Sequence, residues 1–149
     1  MKRIIFIILM ALTCHLSYSQ DALFKKYEDV KGISTVFISK SMLSLMPKIE
    51  AGDVDISRIA SKLDRIQVLE CERPSLIPAI KKEAVAYYKK YRYEQIMRMN
   101  DGNEHTTIYQ KSIGKGKNEF VLLNEESDEL QIIHLSGSVS LNDIKALSK

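Results

Sequence analysis

Between Tyr93 and Leu135 the chain reads as four short β segments separated by turn residues, and that succession leaves little room for anything but an antiparallel sheet. Tyr93 to Met99 and Thr106 to Ile113 flank Asn100-Asp101-Gly102-Asn103, a strong hairpin signal. Gly114-Lys115-Gly116-Lys117-Asn118 turns the chain into Glu119 to Leu123. The acidic run Glu125-Glu126-Ser127-Asp128-Glu129 then leads to Leu130 to Leu135, and Gly137 ends that strand. Ser140 and Asp143 have the spacing of a capping box for a short last helix carrying Leu141, Ile144 and Leu147.

Upstream, helices and strands alternate. Residues 21–30 predict an amphipathic helix with Leu23, Phe24 and Tyr27 on one side, stopped by Gly32. Ile33 to Ser39 reads as a strand, and Met42, Leu43, Leu45 and Met46 as a short apolar helix ended by Pro47. Glu50 to Asp55 reads as a loop with Gly52 at its tip. Asp55 is then expected to cap a helix with apolar positions Ile56, Ile59, Ala60 and Leu63. Ile66 to Cys71 is a second strand. Ser75 is expected to cap the longest helix, with Leu76, Ile77, Ile80, Ala84, Tyr87, Tyr88 and Tyr91 on its inner face and Lys81, Lys82, Lys89 and Lys90 mostly on the opposite one. The expected fold class is α+β: a single domain, a mostly antiparallel sheet with helices packed on one face, and a C-terminal β-meander followed by a short helix.

The N-terminus has the grammar of a secretory signal. Lys2 and Arg3 precede the apolar run Ile4 to Leu12, which is too short to span a bilayer, and Ser17-Tyr18-Ser19 offers small residues at the cleavage positions. The division expected is signal peptide 1–19 and mature domain 20–149, exported and periplasmic. Cys14 opens an alternative as an outer-membrane lipoprotein, although Ala11 and Thr13 fit a lipobox poorly. Cleavage removes two cations, so 22 basic against 19 acidic residues becomes 20 against 19. That balance gives no electrostatic footprint for nucleic acid. No later segment is apolar and long enough to cross a membrane as a helix. Cys71 alone remains after cleavage, so no intramolecular disulfide is expected, and its neighbours Glu70 and Glu72 are not surroundings that activate a thiolate.

No catalytic, cofactor-binding or metal-ligating set emerges. His105 and His134 would need to meet beside a carboxylate such as Glu104 or Asp128 to hold a metal, and they lack any ligand spacing; two unrelated histidines is the plainer account. The run Glu125 to Glu129 lacks the glycine and alternation of a calcium loop. Gly114-x-Gly116 lies between strands and is a turn, not a phosphate loop. Tyr87, Tyr88, Tyr91 and Tyr93, interleaved with Lys89, Lys90 and Arg92, are the candidate ligand-binding residues, as a stacking platform for sugar or peptide. Their helical spacing also places at least two of them against the sheet.

Three stretches, Lys26 to Pro47, Leu63 to Ala84 and Phe120 to Leu147, resemble the exported Bacteroidetes proteins of domain-of-unknown-function family 4252. The resemblance implies export and no assigned activity, cofactor or site residue. It also implies a setting near extracytoplasmic-function sigma factors, hence envelope stress or signalling. The reading adopted is a non-enzymatic exported domain binding a protein or envelope component, of undetermined oligomeric state. The alternatives are a metal-dependent or hydrolytic enzyme of unrecognised type and an envelope stress or signalling component. Intact-mass measurement on protein recovered from the producing cell is expected to give a chain beginning at Gln20; a diacylglyceryl mass on Cys14 would replace cleavage with anchoring.

Overall fold

The computed structural model describes residues 19–51 and 54–148. Residues 1–18 of the proposed signal peptide and the expected loop tip at Gly52 lie outside them. Helix α1 (Ser19–Tyr27) forms a unit with the residues before Gly32 and is described on its own: Leu23, Phe24 and Tyr27 are its buried positions, as the periodicity requires.

The remainder is built on one six-stranded sheet whose neighbouring strands all run antiparallel. In chain order come β1 (Ile33–Ser39), the one-turn helix α2 (Lys40–Leu43), the ribbon β2 (Glu50–Ala51) and β3 (Val54–Asp55), and β4 (Leu63–Cys71). Then follow α3 (Ile77–Lys90), β5 (Glu94–Asp101), β6 (Glu104–Gly114), β7 (Lys117–Glu125), β8 (Leu130–Gly137) and α4 (Leu141–Lys145). The spatial order is β1-β4-β8-β7-β6-β5. Helix α3 carries the chain from β4 to the far edge, and the meander walks back until β8 pairs with β4.

The turn chemistry sets the meander's register. Gly102 opens the two-residue β5–β6 turn at φ +59, while Lys115 (φ +55) and Gly116 (φ +72) supply the two positive angles of a type I′ turn between β6 and β7. Strand alternation then sorts residues to two faces. Ile66, Val68, Ile108, Phe120, Ile133 and Leu135 form one core with Leu43, Ile49, Ile56, Ile59, Val139 and Ile144 from the 40–62 segment and the chain end. The long helix α3 takes the opposite face, burying Ile77, Ile80, Ala84 and Tyr88.

Four local expectations are corrected. The helix expected over Met42, Leu43, Leu45 and Met46 spans only Lys40–Leu43 and ends at Ser44, not at Pro47. Glu50–Ala51 and Val54–Asp55 pair as a ribbon where a loop was expected. Residues 56–63 do not form a capped helix: a 3-10 turn at Ala60–Lys62 runs straight into β4, which begins at Leu63. Asp55 accepts the Ser57 backbone N–H (2.9 Å) without starting a helix. Ile56, Ile59 and Leu63 are still buried, so the apolar spacing met a core without helical backbone. Helix α3 starts after Leu76, not Ser75, with Pro78 in its first turn, where the missing N–H costs nothing. The capping box at the chain end forms as expected: Ser140 Oγ accepts the Asp143 N–H, and Asp143 accepts the Ser140 N–H (2.8 Å). Lys62 and Ser140 hold the Asp143 carboxyl down to about 2, tying α4 to the start of β4.

Gly137 sits where β8 passes that same start. A Cβ there would lie 2.2 Å from the Lys62 carbonyl oxygen and 2.8 Å from Leu63 Cα, both backbone atoms that cannot swing aside. Gly137→Ala is expected to lower the unfolding free energy by about 2–4 kcal/mol in urea titration. Gly102→Ala, with open space around the added methyl, is expected to cost about 1 kcal/mol.

Candidate functional site

Beneath α3 lies an aromatic and polar cluster. Tyr88 is fully buried, its ring 4.9 Å from Tyr109 and 5.2 Å from Tyr93 (centroids), and it stacks on His134 at 6.0 Å. The Tyr93 hydroxyl donates to the buried Glu119 carboxylate. Tyr87 and Tyr91 stand at the half-buried margin, 4.5 Å apart, and the Lys111 ammonium lies over the rings of Tyr91 and Tyr93. The four tyrosines singled out from the sequence are therefore brought together, but Tyr88 and Tyr93 are buried in the core, where their rings meet edge to face.

The two histidines do not converge. His134 pairs in register with Val121 and His105 with Glu125, positions four residues apart along β7, about 13 Å at strand spacing. His105 is exposed and shares a 2.8 Å hydrogen bond with Asn100 at the hairpin end. Among the described residues no group of three or more His, Cys, Asp or Glu side chains is placed to hold a metal ion. The acidic run closes as a tight turn, with the Glu126 N–H on the Glu129 carbonyl (2.8 Å), and Glu125 pairs with Lys81.

The opposite face of the sheet is only partly covered. α4 and the β2–β3 ribbon shield the end near β4, and beyond them an open groove of about 420 Å³ follows the sheet toward β5. Its floor is apolar at Ile108, Leu122 and Ile133, its walls are Ile144 and Leu147 on one side and Met97 and Met99 on the other. Thr106, hydrogen-bonded to Asn124 (2.9 Å), and Gln131 add polar handles, while Glu104 and Glu126 supply the charges of the lining among the described residues. Met97 and Met99 are 37 % and 46 % exposed, an unusual display of apolar surface for an outer strand. Sequence reasoning marked apolar residues in the terminal helix and at Met42, Leu43, Leu45 and Met46. It passed over Met97 and Met99, whose i, i+2 spacing was the available signal.

Residues 27–147 match the family described as domain of unknown function DUF4252. The chain belongs to the DUF4252 family. No curated protein and no solved structure matches it. The DUF4252 span takes in the whole sheet, and every residue of the groove lies inside it.

Burial pushes the His134 imidazole of this DUF4252 domain down to about 4; Glu119 opposes that shift and Arg65 adds to it. A depressed folded value means that the unfolded chain binds the proton first. Stability is therefore complete above about pH 6.5 and falls as pH drops toward 4, by about 3 kcal/mol in all. Denaturant titrations between those limits are expected to show that slope and to show it flattened in His134→Gln. Asp143, held near 2, titrates below this window.

Proposed function

We propose that this DUF4252 chain is an exported, non-enzymatic binding domain that holds a protein or envelope component on the groove beside β5. The observation that carries the reading is the groove itself, an apolar sheet face left open between α4 and β5. A concave, mostly apolar surface with a few hydrogen-bonding groups is the general form of a binding site. The dispersal of titratable side chains supports binding over chemistry: His134 is enclosed under α3, His105 stands at a hairpin end, and Glu119 is engaged by Tyr93. The signal-like N-terminus supports export, and the near-neutral mature charge fits a partner recognised by shape and apolar contact.

A photo-crosslinking residue at Met99, tested in the producing cell, is expected to yield one dominant adduct of defined mass. The same residue at Lys89, exposed on α3, is expected to yield none. Met99→Lys should remove the adduct formed from a crosslinker at Thr106 while leaving the melting temperature within a few degrees, since a surface change of this kind is worth about 0.5 kcal/mol. Equal labelling from Met99 and Lys89 would exclude the groove as the binding surface.

A further inference from the structure

We infer, resting on the groove reading above, that the partner is an extended segment that adds to the free edge of β5, with residues alternating between apolar and acidic. β5 is the last strand of the sheet, and seven of its eight residues are exposed. An edge of this kind presents backbone N–H and C=O groups on its open side, which is a template for a further strand. Proteins blunt such edges with bulges and inward charges. The bulge of β5 lies at Gln95/Met97, so it deflects only the first part of the strand; from Met97 to Asp101 the rungs with β6 are regular.

Along that regular stretch the two faces differ in character. Met97 and Met99 lie on the groove side, opposite Ile108 and Thr106. Arg98 and Asn100 lie on the α3 side, opposite Thr107 and His105. There they line a second hollow of about 400 Å³ with Lys81, whose one carboxylate, Glu125, is taken by Lys81. Arg98 has no carboxylate partner among the described residues. With Lys81 and Glu125 paired, Arg98 leaves the lining of the hollow one positive charge in excess. Side chains of an added strand alternate between the same two faces. One set meets Met97, Met99 and the groove; the other meets Arg98. Main-chain pairing with alternating side-chain pockets is the recognition mode of strand addition.

The opposite edge offers no such reading, because β1 exposes Val36 and Phe37 on its two faces and carries no charge. A second copy of the chain fits β5 poorly: a two-fold pairing centred on Arg98 would set two guanidinium groups against each other.

The test uses a fluorescent, end-capped peptide of roughly seven residues, with valine and glutamate alternating, against the full mature chain. It is expected to bind, and N-methylation of alternate backbone amides is expected to weaken it about tenfold or more, since each methyl group blocks one main-chain hydrogen bond. Replacing its glutamates by lysine should weaken it about fivefold, and R98E should reverse the preference between the two peptides. Arg98 is exposed, so R98E is expected to keep the wild-type circular dichroism. Failure of all the peptides to bind overturns the inference, as does binding indifferent to N-methylation or to R98E. If Met99→Ser weakens the peptide while N-methylation does not, strand addition falls and the groove reading stands. A dimer in sedimentation that dissociates on Met99→Lys would give the edge to a second copy and overturn the peptide partner.

Discussion

The six-stranded sheet cannot exist without the pairing of β8 with β4. Gln67 faces His134 across that ladder, so everything from α3 to the end of the meander must be threaded before the two central strands can meet. Closing so long a segment costs chain entropy and slows folding. The compensation is burial on both sides. β4 and β8 are almost wholly enclosed, with Ile66, Leu69, Leu130, Ile132 and Leu135 inaccessible to solvent. Gly137 and the Lys62–Asp143 pair fix the end of that ladder, where the strands approach too closely for a side chain.

The two faces of the sheet are finished differently, and the difference is what leaves a surface for binding. On one side a single long helix lies across β8, β7 and β6 and seals them with aromatic rings. On the other, the cover is assembled from short pieces: one helical turn, a two-residue ribbon and the five-residue α4. Short pieces bury the sheet near β4 and run out before β5. An unfinished cover of this kind exposes apolar side chains that an isolated protein would otherwise hide.

The hairpins and the final helix are legible in the sequence because their signals are local. Gly102, Gly116 and the Ser140–Asp143 box act within a few residues, the glycines through their positive φ angles and the box through its own hydrogen bonds. The 56–63 segment departs from its expected helix for the converse reason. Ile56, Ile59 and Leu63 have helical spacing, but the residues after Lys62 are taken up by pairing with β8, and the backbone before it follows as a 3-10 turn. The candidate site is the least legible part. The four tyrosines announce themselves as a cluster, and they do cluster, but largely as core. Met97 and Met99 look like ordinary strand residues until the sheet order places β5 at an edge.

Backbone preferences and apolar periodicity over short spans were enough to set the fold class, the meander, the turns and the final cap. Residue counts alone set the modest charge of the chain, 22 basic against 19 acidic residues. Which strands are central and which are edges, which histidine is buried, and where the apolar cover stops were settled only when the chain packed. Those outcomes depend on contacts between residues far apart in the chain, and no local pattern encodes the competition that settles them.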